Sequence, residues 1–336
     1  MQTRQLGPFS VSALGLGAMP VSMNNDNTYP SHEDAVATVQ AALDAGITFV
    51  DTADIYSPTW DTMGHNELIV GEAVRTWSGS ADVVIGTKGG ITRGQGETWG
   101  RNGTLDYLRS AVEKSLTNLG VDTIDLYQWH RSDRWQVYGE VIGHFKTLQD
   151  EGLIKAIGIS NANVEEIEVA VEVLGEGGLA SVQNEFSPRF RSSQDELDYC
   201  SEHGIAFLPW SPLGGTGGGA SGIGEEFAAF AEIGRTHGVS PQQVVLAWEL
   251  SLSDVVIPIP GARRATSITD SLIGRAGCSG ADRAGQTRSD PHHCRAPTCV
   301  NATSSCARPG ARADFRRRHP RGGADRRLDR DVRRCS

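Results

Sequence analysis

From residue 13 to about residue 260, short apolar runs rich in β-branched and aromatic residues alternate with stretches of helical period. That alternation leaves few folds open. The predicted strands are Ala13–Met19, Ile47–Asp51, Val83–Lys88, Ile124–His130, Ile154–Ser160, Ala180–Asn184, Ile205–Trp210 and Val255–Ile259. Between them the spacing predicts helices over 31–45, 67–75, 104–119, 135–151, 164–174, 195–203, 225–236 and 241–250. Ser31 and Asp34 open the first as a cap, and Gly120 and Gly152 close two others. Strands apolar along their whole length belong to a parallel sheet covered by helices. Eight such units in about 250 residues predict an α/β fold, the (β/α)8 TIM barrel. A doubly wound open sheet is the alternative. Residues 3–12 precede this pattern and read as a short β-hairpin around Gly7-Pro8.

Composition separates the chain into two parts. Residues 1–262 carry 14 Lys and Arg against 34 Asp and Glu, whereas 263–336 carry 17 basic residues, all Arg, against 7 acids, all Asp. The acidic body argues against nucleic acid as a partner. Five of the six cysteines lie in the basic part, leaving Cys200 alone in the body and excluding an intramolecular disulfide there. No apolar run is long enough for a membrane span and the N-terminus lacks a signal sequence. The expectation is a cytoplasmic protein with no membrane or nucleic-acid partner. The sequence is silent on oligomeric state.

In such a barrel the working groups stand at the C-terminal ends of the strands. Those ends carry Asp51, Lys88, His130, Ser160 with Asn161, Gln183 with Asn184, Trp210 with Ser211, and Pro260-Gly261. Each alone reads as a surface charge or a packed side chain; their convergence on one rim points to a site. Gly15 and Gly17 begin a dinucleotide fingerprint, but Pro20 stands where its third glycine is needed, so the Rossmann reading fails.

The segments Phe49–Tyr56 (FVDTADIY), Thr87-Lys88, Asp125–His130 (DLYQWH), Gly158–Asn161 (GISN), Val182–Glu185 (VQNE) and Trp210–Gly214 (WSPLG) resemble the aldo-keto reductase family in order and spacing. The likeness runs from residue 1 to about residue 271 and implies a TIM barrel that reduces a small-molecule aldehyde or ketone with NADPH. It makes Tyr56 the proton donor, supported by Asp51, Lys88 and His130. The chemistry is coherent: a free phenol ionises near pH ~10, and a neighbouring ammonium lowers that value. Lys88 is expected to do so, with Asp51 keeping it charged and aimed, while His130 orients the carbonyl.

The resemblance further implies that Ser160, Asn161 and Gln183 hold the nicotinamide carboxamide and that Trp210 stacks on the ring. Ser211, Leu213 and Gly214 belong to a glycine-rich loop over the pyrophosphate. Gly261, Arg263 and Arg264 follow the last strand, where the arginines meet the 2′-phosphate, and Asp270 faces the adenine. Ser267 and Ser271 depart from the family, standing where an Arg and an Asn are frequent. No metal site is expected, since His292-His293-Cys294, Cys299 and Cys306 match no standard zinc spacing.

Beyond residue 271 the likeness stops, and the domain reading is a barrel over 1–271 followed by an irregular Arg- and Cys-rich tail over 272–336. The abrupt change in composition reads as a GC-rich gene translated out of frame. An incomplete last helix would leave apolar surface uncovered between strands 1 and 8. Two other functional readings therefore stand beside the enzyme: a non-catalytic NADPH-binding subunit, and a damaged, inactive family member. The sequence does not name the carbonyl substrate; loops at 60–64, 93–102 and 131–135 are expected to shape its pocket.

Overall fold

The computed structural model describes residues 2–133, 135–215 and 219–273. The tail from 274, with its zinc-like cluster and its reading-frame question, lies outside the described residues, as do Thr216, Gly217 and Gly218 of the glycine-rich loop.

Seven parallel strands form one sheet: β3 (Leu16–Gly17), β4 (Phe49–Asp51), β5 (Val84–Gly89), β8 (Ile124–Trp129), β9 (Ile154–Ser160), β10 (Leu179–Gln183) and β11 (Ala206–Phe207), each beside the next in that order. The eighth predicted strand closes the circle without being a regular strand. Its Val256 bridges β11 at Phe207, and Gly261, two residues beyond its expected end, bridges β3 at Gly17. The reason is Pro258 and Pro260, which have no N–H to give to the ladder. Their carbonyls still accept from Gly15 and Gly17 at 2.9 and 3.1 Å, while Ile257 and Ile259 donate to the opposite side. A closed barrel replaces the open-sheet alternative.

Helices α1 (His32–Asp44), α2 (His65–Thr76), α3 (Leu105–Leu119), α4 (Tyr138–Asp150), α5 (Val164–Leu174), α6 (Gln194–His203), α7 (Gly219–Glu226), α8 (Ala228–His237), α9 (Pro241–Leu252) and α10 (Ala265–Ile273) lie outside. Their inward faces and the outward strand faces make one apolar layer. A second layer fills the barrel: Phe49, Val84, Leu126, Ala156, Ala180 and Ala206 supply one residue from each of six strands, and Ile257 comes from the closing segment. Small side chains from β9, β10 and β11 offset the large ones from β4 and β8. The hairpin β1 (Thr3–Leu6) and β2 (Phe9–Ser12) adds Leu6 and Val11 to this interior layer and plugs one end of the barrel. Among the described residues no helix is long and apolar enough to cross a membrane.

Several elements differ from expectation for local reasons. Helix α4 starts three residues late because Asp133 accepts from Gly103 N, Gln136 N and Gln136 Nε2, holding the preceding segment as a loop. The expected helix 225–236 is two helices that break at Phe227, whose backbone is non-helical. A hairpin of β6 (Ile91–Gly94) and β7 (Thr98–Arg101) follows β5, turning through Gly96 and Glu97 with positive φ. The surface expected to be uncovered between strands 1 and 8 carries α10, which packs on α1 and α9 and buries Ile268 completely.

The closing seam is tight. A Cβ on Gly17 would lie 2.8 Å from the carbonyl oxygen of Ile259. Gly17→Ala should lower stability by about 1–3 kcal/mol through overpacking, read as a lower thermal midpoint by circular dichroism. An unchanged midpoint would show that the seam yields freely.

Candidate active site

Strand alternation lifts alternate residues from the apolar layer to the rim: Phe49 leads to Asp51, Leu126 to Gln128 and His130. In β10 simple alternation from Ala180 would put Val182 inside and Gln183 outside. An irregularity in the pairing of β10 with β9 between Leu179 and Ser181 reverses this. Val182 joins the outer layer, and Gln183 turns inward. Gly158 makes room, since a Cβ there would meet Ser181 Oγ at 2.4 Å and Gln128 Cγ at 2.8 Å.

The result is a buried polar core around one carboxylate. Lys88 Nζ donates to Asp51 Oδ2 at 2.6 Å, to Thr52 O at 2.9 Å and to Tyr56 OH at 3.4 Å. Asp51 Oδ1 accepts from Gln128 Nε2 at 3.0 Å and Gln183 Nε2 at 2.8 Å. Lys88 is fully buried and Asp51 nearly so. An ammonium has three hydrogens, and all three are used. The loop bearing Tyr56 is clipped to the start of α2 by Asn66 N donating to Tyr56 O and Gly64 N donating to Asp54 O.

The electrostatics correct one expectation. Burial drives the Tyr56 hydroxyl above its ordinary value, and Lys88 offsets part of that rise without reversing it. The phenol therefore stays protonated at neutral pH. For Lys88, burial disfavours the charge, but Asp51 and Tyr56 together outweigh it and the ammonium titrates above its usual value. His130 is held well below its ordinary value by burial, then by Lys88 and Arg131, so its ring is neutral. Its Nδ1 is buried without a partner, which leaves Nε2 as the nitrogen open to the cavity. The His130 ring meets the Tyr56 ring edge-on at 5.6 Å.

These groups open on a cavity of about 610 Å³. Asp51, Tyr56, His130, Ser160, Asn161, Gln183, Trp210, Ser211, Leu213 and Gly261 all line it. Asn161, at φ +59, donates from Nδ2 to Ser160 Oγ and to His130 O, and Ser160 Oγ donates to Gln183 O. The amide hydrogens of Asn161 and Gln183 are thus committed to the protein, leaving Asn161 Oδ1 and Gln183 Oε1 as acceptors.

Other predicted residues lie elsewhere. Gly214 packs beside Arg189 rather than on the cavity. Arg263 donates to Asp26 at 2.9 Å and Thr28 Oγ1 at 2.8 Å, and with Arg264 it borders a separate cavity of about 470 Å³. Asp26 is pulled down to about 2 by the Thr28 hydrogen bonds and by Arg263. Asp270 accepts from Ser240 Oγ, which caps α9. Sequence reasoning missed Gln128, although it lies two residues before His130 on the same face of the strand. Trp99, Arg101 and Arg131 line the cavity from two of the loops expected to shape it, 93–102 and 131–135, the first folded as a hairpin that the sequence did not announce, while no residue of 60–64 lines it.

Comparison with known proteins places these features in a family. The sequence model described as the Aldo/keto reductase family matches residues 13–273. An uncharacterized oxidoreductase of Schizosaccharomyces pombe is 32% identical over 80% of this chain and 83% of its own. The 6-dehydroglucose reductase of Novosphingobium aromaticivorans is 33% identical over 80% of this chain and 88% of its own. An aldo/keto reductase of Klebsiella pneumoniae, crystallised with NADP and acetate, shares the fold at a TM-score of 0.67 and 24% identity, covering 81% and 89% of the two chains.

Removing one member of a buried ion pair leaves the other unpaired, at a cost of about 3–5 kcal/mol. Asp51→Ala and Lys88→Met should each destabilise the barrel by that order in urea unfolding, and the double variant by much less than the sum. Strict additivity would mean that the pair does not act as a unit.

Proposed function

The chain belongs to the aldo/keto reductase family, and from that premise we propose that it reduces a small aldehyde or ketone to the alcohol with NADPH, Tyr56 giving the proton. One observation carries this reading: Tyr56 OH lies 3.4 Å from Lys88 Nζ, which is locked on Asp51, on the wall of a cavity shared with His130. When bound, the nicotinamide cofactor supplies the hydride to the carbonyl carbon.

The residues fit that cofactor. Asn161 Oδ1 and Gln183 Oε1 are two acceptors on one wall, suited to the two N–H groups of a carboxamide. Trp210 lines the same cavity as a flat surface for the ring. Arg264 is the guanidinium open to a 2′-phosphate, whereas Arg263 must first release Asp26.

In the reaction the carbonyl oxygen takes a hydrogen bond from His130 Nε2–H and faces the Tyr56 hydroxyl. As negative charge develops on that oxygen, the phenolic proton crosses to it. The phenolate left behind is stabilised by Lys88, whose charge Asp51 maintains. Neutral His130 adds no competing charge and supplies orientation. The same burial that keeps Tyr56 protonated also excludes water from the proton transfer.

Tyr56→Phe should lose reduction of a simple aldehyde by at least about a thousandfold while NADPH still binds, measured by titration of cofactor fluorescence. A variant that keeps most of its rate removes Tyr56 as donor. NADPH binding by the wild type without turnover of any aldehyde would favour a non-catalytic subunit. The raised hydroxyl also sets a pH profile. Because the phenol is the active form, kcat/KM for reduction should stay flat through neutrality and fall only near pH ~10 or above. A descending limb near pH ~7 would mean that Lys88 outweighs burial.

A further inference from the structure

Two guanidinium groups reach the cavity on the side away from the closing segment, next to Asn161 and Trp210. Arg131 follows His130 at the end of β8, and Arg101 ends β7 of the hairpin after β5. In the barrel order β8 stands four strands round from the closing segment that carries Gly261, Arg263 and Arg264. Arg131 and Arg101 line both the main cavity and a polar annex of about 470 Å³ beside it.

What sets Arg131 apart is its lack of company. Arg93, Arg109, Arg189 and Arg263 each hold a carboxylate. Half-buried Arg131 donates no hydrogen bond and joins no ion pair among the described residues. Arg101 gives one bond, from Nη1 to Ser132 O at 2.8 Å, and holds no carboxylate. The two repel one another, and that repulsion adds to burial in disfavouring the charge on Arg131. Leaving a half-buried guanidinium without an anion is costly.

The acids of the annex do not meet this need. Glu166 accepts from Asn163 N and Ser132 Oγ, which commits its carboxylate to capping α5. Glu185 and Glu196 are half-buried, and burial shifts both toward the neutral form. Glu185 feels the charge of Arg131 but forms no ion pair with it among the described residues. Within a body of 14 basic and 34 acidic residues, two uncompensated arginines in one cavity form a local positive site.

We propose that Arg131, assisted by Arg101, binds a carboxylate or phosphate carried by the carbonyl substrate, so that the preferred substrates are aldehydes or ketones bearing an oxyanion. A guanidinium fork matches either group through two parallel hydrogen bonds. This rests on the reductase reading above, since the carbonyl must sit between Tyr56 and His130. Arg131 directly follows His130 in the chain and shares the cavity wall with it, which puts the oxyanion within reach of a carbonyl held at His130.

The test compares matched pairs with the full chain and NADPH: 4-carboxybenzaldehyde against benzaldehyde, and glyceraldehyde 3-phosphate against glyceraldehyde. The wild type should favour the anionic member of at least one pair by about tenfold or more in kcat/KM, mainly through KM. The pair with the larger preference identifies the group. Added salt should reduce the preference. Arg131→Met should bring the ratio down to near one, with Arg131→Lys intermediate. Arg109→Met, which removes a guanidinium paired with Glu151 on the outer surface, should leave the ratio intact. Equal kcat/KM within both pairs in the wild type, or the same ratio in Arg131→Met, overturns the proposal and leaves the reductase reading standing. If benzaldehyde and glyceraldehyde are not reduced either, that reading fails, and binding decides. Benzoate should then bind the NADPH-loaded protein at least about tenfold tighter than benzyl alcohol, and Arg131→Met should abolish the difference; equal binding overturns the proposal.

Discussion

The structure depends on the buried pair of Asp51 and Lys88. Desolvating two such charges costs several kcal/mol per ion unless every hydrogen-bonding position is filled. Here the filling is close to complete. The Lys88 ammonium spends its hydrogens on Asp51, Thr52 and Tyr56, and the second Asp51 oxygen takes the amides of Gln128 and Gln183. Those groups come from β4, β5, β8 and β10, so half of the barrel converges on one carboxylate. The pair is stable because the barrel is closed around it, and the barrel's mouth is polar because the pair is there.

Burial then gives each neighbour its protonation state. It keeps the Tyr56 hydroxyl protonated and the His130 ring neutral, and it leaves Lys88 as a fixed charge beside the phenol. Behind the rim, Asp54 is pushed far up by burial and then by Glu67, and Glu67 is raised by its own burial. Both are shifted toward the neutral form, although Asp54 and Asp51 still oppose the effect of Lys88 on the phenol. One physical cause, exclusion of water, arranges the proton inventory of the whole mouth.

The cavity is asymmetric around that centre. The walls from β9, β10 and β11 offer acceptors and a flat aromatic surface, while the loops after β5 and β8 bring guanidinium groups without partners. A carbonyl held between Tyr56 and His130 lies in a cavity that those arginines also line. The proton donor Tyr56 follows β4 and Arg131 follows β8, so a change at Arg131 alters which carbonyl is preferred while the proton still comes from Tyr56.

Period and chemistry made much of this legible in the sequence. The alternation of strand and helix determined the barrel, because an element buried on both faces must be apolar throughout and a covering helix must be apolar on one stripe. The polar residues at strand ends marked the rim, since a polar side chain interrupting an apolar strand needs a reason. Three things were decided by tertiary structure. The irregular pairing of β10 turns Gln183 inward, and no local pattern announces it. The sign of the Tyr56 shift follows from how much burial opposes Lys88, a competition between elements remote in sequence. The solitude of Arg131 depends on which carboxylates other loops bring near, and neither Glu166 nor Glu185 forms an ion pair with it among the described residues. Sequence carries the period of an element and the chemistry of its residues; distances between elements exist only once the barrel has closed.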